Sequence, residues 1–394
     1  MVEPGHLDGI ETPTDLGRGC LVLCHGPQYV AAKANNPSRR RKPRESAWGI
    51  PNLRMAFASI ETTRVGELVP DTEDLRPSTA ATALVAADLL RVDKRILELV
   101  HSEVAMLRQI SEELVLAGGK RVRPALILLV HHAAGGNAPG DAIDVGAALE
   151  LIHSATLLHD DILDKSGTRR GQPSALARHG EAFTLVTGDF LFSRAFSVAG
   201  RFEAKVVGWA AEACVQLCEG EILQQQNRRC ATATIDTWEA IASRKTASLF
   251  SQAARIGAHF AKADDALVES MRLLGFEVGI VFQMIDDLVD ITGPEALIGK
   301  PVGGDLREGT PALPIVLGLA TLAPVREAFL AAAATEAQVS AALAALLAST
   351  IPEQIRTMAR ERVARARSEL HRLPKNAYRD ALEDLLDMLL SRAA

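Results

Sequence analysis

The chain has 394 residues, 48% hydrophobic and 23% charged, with 43 Lys and Arg against 49 Asp and Glu for a net charge of −6. That apolar content supplies one large core, and scattered basic residues under an acidic excess give no electrostatic footprint for nucleic acid. No run reaches the ~20 apolar residues of a membrane span and no continuous apolar signal core opens the chain, so a soluble, cytoplasmic protein is expected.

Residues 1–75 carry Gly, Pro, Asn and a basic cluster at 39–44 without helical or strand periodicity. They read as a disordered extension, with a targeting or anionic-surface arm as the functional alternative and Met55 as an alternative start. Residues 76–394 read as one helical domain. From Leu84 onward, Ala/Leu-rich segments are separated by short breaks at Gly135–Asn137, Gly293-Pro294 and Ile351-Pro352. Strand signals are scarce, so the fold class is all-α: a bundle whose central helices, over 141–164 and 266–290, are enclosed by others. The alanine-rich runs 331–334 and 341–347 are expected to be helical on propensity. Five cysteines, Cys20, Cys24, Cys214, Cys218 and Cys230, form no CxxC pair and read as reduced thiols.

Within the two central segments one pattern occurs twice, Asp160-Asp161-Ile-Leu-Asp164 and Asp286-Asp287-Leu-Val-Asp290. On a helix, positions i and i+4 share a face and i+1 sits about 100° round, so each cluster offers two carboxylates in one direction and a third at its edge. A solvated acidic face is the plainer explanation of one copy. The flanks, Ala155–His159 and Val281–Ile285, are apolar, and solvated faces do not usually sit in such runs. Facing each other, the two helices would form a six-carboxylate cage. Oxygen-only ligands of that charge imply a hard divalent cation, Mg²⁺ or Mn²⁺, sharing its shell with phosphates. Matching cations lie nearby: Lys120, Arg121 and Arg123 beside Gly118-Gly119, then Arg169 and Arg170, Lys245-Thr246 and Gly299-Lys300.

Over residues 85 to 394 the chain resembles the trans-polyprenyl diphosphate synthases, the head-to-tail isoprenyl chain elongators. The resemblance rests on GGKRVRP at 118–124, ELIHSATLLHDDILDKSGTRRGQPS at 150–174, TGDFLFSRAF at 187–196, SRKTASLFSQAARIGA at 243–258, FQMIDDLVDITG at 282–293 and GKPVGGDLREG at 299–309. It implies an isoprenoid synthase-type bundle around a central cleft with two facing acidic helices, working as a homodimer. By the same resemblance Asp160, Asp164 and Asp286 are the principal metal ligands. Asp161, Asp287 and Asp290 support them, directly or through water, and Lys245 joins the catalytic set. Lys120, Arg123, His153 and Arg170 hold isopentenyl diphosphate; Arg169, Lys245, Thr246, Gln283 and Lys300 serve the allylic diphosphate. Where the family often reads G-K-x-T-L-P, this chain has Gly309-Thr310-Pro311-Ala312-Leu313-Pro314, so a frequent lysine is missing. On its own residues, His153 reads as a core or interface histidine rather than a ligand, and only the resemblance reverses that; His159 reads as support for its neighbours.

The implied chemistry is ionisation of the allylic diphosphate, attack by the double bond of isopentenyl diphosphate, and loss of a proton to the departing pyrophosphate. A class I terpene cyclase would carry an Asn/Ser/Glu motif where this chain reads DDLVD. A non-catalytic synthase subunit would have lost one acidic cluster, and a membrane-embedded prenyltransferase would need spanning helices. Membrane contact is expected at most at the periphery, for product release. The positions four and five before Asp160 are Thr156 and Ala155, small where short-chain members place an aromatic ring. With Ile152, Leu151 and Ala148 behind them, they predict a tunnel, closed by Phe192 or Phe196, and a product of C30 or longer; a C15–C20 product is the alternative.

Overall fold

The computed structural model describes residues 80–169, 172–293 and 302–392. The extension over 1–75, and with it Cys20, Cys24 and Met55, lies outside the described residues, as do Arg170 and Lys300.

The helices run α1 (Ala80–Ala83), α2 (Ala86–Val100), α3 (Ala105–Leu116), α4 (Val122–Ala133) and α5 (Gly140–Leu163). A two-residue antiparallel pair follows, β1 (Thr168–Arg169) with β2 (Gln172–Pro173), in register Thr168 to Pro173. Then come α6 (Ala175–His179), α7 (Glu181–Ala199), α8 (Ala204–Asn227) and α9 (Ile235–Ala242). A π-helical turn over Ser243–Ala247 joins α9 to α10 (Ser248–Phe260), and α11 (Asp265–Thr292) carries the second acidic cluster. The remainder is α12 (Gly304–Glu308), α13 (Leu313–Gly318), α14 (Ala323–Leu330), α15 (Glu336–Ala348), α16 (Ile351–Leu370) and α17 (Ala377–Ser391).

Capping sets many of these boundaries. Asp264 accepts the Leu267 N–H to open α11, Ser174 does the same for α6, and Thr234 and Thr335 form capping boxes on α9 and α15. The Thr335 cap explains one departure from expectation. The alanines at 331–334 form the link between α14 and α15 rather than helix, because a fixed helix start at Thr335 outweighs a propensity worth tenths of a kcal/mol per residue. Ile351-Pro352 likewise opens α16 instead of breaking the chain, since proline suits the first turn, where its missing N–H has no partner to lose.

Helices α4, α5, α10 and α11 form the centre. Leu126 to Val130 on α4 are all fully buried, as are Leu149, Leu151 and Leu158 on α5, so these helices are covered on nearly every side. Helix α10 packs closely on both α4 and α11, while α7 covers α5 and α16 covers α11. The α10–α11 approach depends on Gly275: a Cβ there would come within 2.4 Å of the Phe250 carbonyl oxygen. Two wet stripes interrupt the buried surfaces of α5 and α11, and they locate the site.

Candidate active site

On α5, His153, Leu157, Asp160 and Asp164 keep partial solvent access, at the i, i+4, i+7, i+11 spacing of one helical face. On α11, Phe282, Asp286, Val289 and Gly293 repeat that spacing, with Asp286 exposed. A third face comes from α8, where Glu221 and Gln225 are followed by Arg228 at the helix end. Gln225 Nε2 donates to Glu221 Oε1 at 2.8 Å.

The π-turn brings these faces together. Lys245 Nζ pairs with Glu221 and lies 3.9 Å from Asp160 Oδ2, while the hydroxyl of its neighbour Thr246 donates to Gln283 Oε1 on α11 at 2.7 Å. Two consecutive residues thus reach both acidic helices. Helix α8 closes against the turn at Gly220, where a Cβ would stand 2.5 Å from the Lys245 backbone nitrogen.

The electrostatics follow from crowding. Burial pushes the Asp160 carboxyl up to about 6, opposed by Lys245 and reinforced by Glu221 and Asp164. For Lys245 burial acts against the charge, and Asp160 and Glu221 outweigh it, holding the amine above its ordinary value. Asp164 is paired with the Arg228 guanidinium. Each carboxylate on the wet face of α5 therefore already has a cation beside it.

The expected six-carboxylate cage is not what the side chains form. Asp161, only 1% exposed, turns inward to Arg169, whose Nε and Nη2 both lie 2.7 Å from its Oδ1. Asp287 is buried and accepts three hydrogen bonds, from Trp238 Nε1 and Gln283 Nε2 at 2.7 Å and the Leu313 N–H at 2.9 Å. Burial holds the Asp287 carboxyl above its ordinary value; those three donors offset the rise only in part, and the Asp286 charge adds to it. Asp290 is also buried: its Oδ2 accepts the Asp305 N–H at 3.2 Å and its carbonyl the Gly303 N–H at 2.8 Å. The i+1 aspartates turn inward because they sit about 100° off the wet face. Asp290, at i+4, is drawn in by the segment folding back after α11. Among the described residues no three carboxylate, histidine or cysteine side chains converge as a metal cluster. Asp160, Asp164 and Asp286 are left on the wet faces.

The basic residues divide similarly. Arg121, in left-handed backbone at φ 46°, is spent on Asp93 and Glu150 at 2.8 and 2.9 Å, so only Lys120 and Arg123 of that loop remain as candidates. Lys120 is exposed. The Arg123 guanidinium stacks 4.6 Å from the Phe250 ring centroid, and burial lowers its pKa to about 10 against the opposing charge of Glu150. Arg169 is committed to Asp161, and Thr246 and Gln283 are linked to Asp287, so these three shape the walls. His159 points away from the wet stripe: its Nε2 lies 3.3 Å from the Leu185 carbonyl and its ring stacks on Phe192 at 6.0 Å. Ala155 and Thr156 are buried, one turn before His159 on the flank of α5 from which that histidine reaches α7.

Glu221, Gln225, Arg228 and Trp238 were not among the candidates read from sequence. The first three have a visible signal, the i, i+4, i+7 spacing of polar residues at the end of a helix. Trp238 has none, because its partner Asp287 is 49 residues away.

An all-α bundle with acidic stripes on two central helices and cations facing them defines an isoprenoid synthase-type enzyme. The chain belongs to the polyprenyl synthetase family, whose profile matches residues 104–349, and it is a prenyltransferase. It is 34% identical over 315 residues to an all-trans-nonaprenyl-diphosphate synthase (geranyl-diphosphate specific) of Rhodobacter capsulatus, covering 79% of this chain and 96% of that one. It is 33% identical over 319 residues to a short chain isoprenyl diphosphate synthase of Methanothermobacter thermautotrophicus, covering 77% and 98%. Among solved structures, the polyprenyl synthase of Caulobacter crescentus complexed with calcium and isoprenyl diphosphate superposes with a TM-score of 0.76 at 34% identity, covering 80% of this chain and 98% of that one.

Proposed function

We propose that this protein condenses isopentenyl diphosphate repeatedly with an allylic diphosphate to make an all-trans polyprenyl diphosphate of C30 or longer. The observation that carries the reading is the bridge at 245–246, which ties the Asp160 face to the Asp286 helix and sets a cation beside the first acidic cluster. A divalent cation fits these residues: the donors are hard oxygens, one turn apart on α5, and Asp160, pushed up to about 6 by burial, has the carboxylates of Glu221 and Asp164 adding to the rise. The calcium and isoprenyl diphosphate in the Caulobacter relative support the same reading. Asp160, Asp164 and Asp286 would hold Mg²⁺, with Mn²⁺ as a substitute. When bound, the ion neutralises charge on the departing pyrophosphate.

The chain's own residues do the rest. Lys245 and Lys300 bind the leaving diphosphate, while Thr246 and Gln283, fixed by Asp287, form the wall along the ionising carbon–oxygen bond. Lys120, Arg123, His153 and Arg170 hold isopentenyl diphosphate so that its double bond forms the new carbon–carbon bond, and the proton then lost goes to the pyrophosphate.

Relatives of similar identity are named for both long and short products, so product length is argued from this chain. Ala155, Thr156, Ala148, Leu151 and Ile152 line α5 behind Asp160 without an aromatic ring among them. Phe183, Leu185 and Val186 on α7, with Val215 and Ile222 on α8, expose large apolar side chains, which supports a homodimer across these helices. Among the described residues no helix is long and apolar enough to cross a membrane; we place the enzyme in the cytoplasm, meeting a membrane only to release product. The test is incubation with labelled isopentenyl diphosphate, Mg²⁺ and each of the C5, C10, C15 and C20 primers, with and without EDTA. Metal-dependent products of C30 or longer are expected; products ending at C15–C20, or formed equally in EDTA, would refute the reading.

A further inference from the structure

The residue roles given above assign none to Arg228. Arg228 ends α8, mostly buried, with its guanidinium on Asp164, one of the three carboxylates left on the wet faces. Its Nε is buried and makes no hydrogen bond. An arginine whose only purpose was to neutralise Asp164 would gain by satisfying that third donor position, since a buried unmet N–H costs free energy. The backbone just after it is anchored elsewhere. The Arg229 N–H donates to the Gly309 carbonyl at 2.9 Å, and its side chain donates to the Arg307 and Phe329 carbonyls at 2.7 and 3.2 Å. The Cα of Arg228 is thus held, and only its side chain has freedom to change partner.

Asp164 cannot serve a divalent ion and a guanidinium equally. A doubly charged hard cation takes the carboxylate oxygens at shorter range than an N–H donor can. The displaced guanidinium would then stand beside the same ion's diphosphate, with a planar fork suited to two phosphate oxygens and an Nε already lacking an acceptor.

We propose that Arg228 is an exchangeable counter-ion: it holds Asp164 while the site is free of metal, and binds the allylic diphosphate once a divalent cation claims that carboxylate. This rests on the metal reading given above for Asp160, Asp164 and Asp286. No bond is made or broken in the exchange. Arg228 is a diphosphate-binding residue, and its removal has opposite effects on the two ligands. Metal alone meets less competition, whereas diphosphate in the presence of metal loses a fork.

The test uses Arg228→Met and Arg228→Lys in the full chain, with Mn²⁺ and inorganic pyrophosphate as probes. Binding of Mn²⁺ alone is read from the loss of the free-ion electron paramagnetic resonance signal, and pyrophosphate binding at saturating Mn²⁺ by calorimetry. In Arg228→Met, Mn²⁺ alone should bind about tenfold more tightly and pyrophosphate about tenfold more weakly than in wild type, the scale of one charged hydrogen bond. Arg228→Lys keeps the charge and loses the fork, so Mn²⁺ affinity should stay within about twofold while pyrophosphate still weakens. This second variant decides the matter if Arg228→Met does not fold. Unchanged pyrophosphate affinity in either variant, or unchanged Mn²⁺ affinity in a folded Arg228→Met, overturns the proposal. Wild type that takes up no Mn²⁺ even with pyrophosphate overturns the metal reading itself, and this proposal with it.

Discussion

Trp238 and Asp287 are joined by a hydrogen bond of 2.7 Å between the indole N–H and a carboxylate that has no access to the wet face of α11. The bond separates the two adjacent aspartates of the second cluster into different jobs. Asp286→Ala should lower turnover by at least about a hundredfold and leave the thermal midpoint within a degree or two, because it removes an exposed side chain proposed above as a metal ligand. Asp287→Ala and Trp238→Phe should instead lower stability by about 1–3 kcal/mol, the cost of unmet buried hydrogen-bonding groups. Kinetics and melting curves on the three variants check the division; a stable, inactive Asp287→Ala would return that residue to the metal site.

The seat of α8 on the π-turn gives a paired glycine test. Gly220→Ala puts a methyl group against backbone at 2.5 Å, which cannot rotate away, so Lys245 must shift and both activity and stability should fall. At Gly208, on the same helix, an added Cβ would meet nothing within 4 Å, and Gly208→Ala should stabilise by about 0.5–1 kcal/mol with activity unchanged. Equal behaviour of the two variants in melting and turnover assays would mean that the close approach at Gly220 is unimportant.

Product length should respond to one residue on α5. Ala155→Phe places a ring on α5 one turn before His159, and the product should shorten from C30 or longer to about C15–C20, one turn of 5.4 Å being roughly one isoprene unit. Chromatography of the dephosphorylated products checks this; full-length product from the variant would show that the chain grows along another wall.

Acid stability should depend on His131. The side chain is buried on α4, and burial lowers its pKa from the 6.5 of a free histidine; His132 adds to the effect, while the Gly257 backbone, Asp88 and Asp141 oppose it. The fold therefore favours the neutral ring. Its penalty is absent above pH 6.5 and grows as pH falls, because the unfolded chain takes a proton that the native state resists. Between about pH 7 and pH 5 the melting temperature of wild type should drop more steeply than that of His131→Phe, and parallel curves would rule the residue out.

The central helices and the order of the motifs were legible in sequence because they rest on local periodicity: 141–164 and 266–290 became Gly140–Leu163 and Asp265–Thr292. What escaped was orientation. That Asp161 belongs to Arg169 follows from a two-residue β pairing, and that Asp287 belongs to Trp238 follows from packing between helices distant in sequence. Arg121, which resembles its neighbours as a candidate ligand, is consumed by Asp93 and Glu150, 28 and 29 residues away. Spacing along one helix places a side chain on a face; only its partner decides whether it is available.

The π-turn at 243–247 makes chain length itself a constraint. Removing one residue there would restore the ordinary α period and turn everything on one side relative to the other by about 100°. Upstream, α9 is tied to α11 through Trp238; downstream, α10 is locked to α11 where Phe250 meets Gly275. Neither end can rotate to absorb the change. This segment should therefore tolerate neither insertion nor deletion, and homologous enzymes using the same bridge should keep its residue count even where their residues differ.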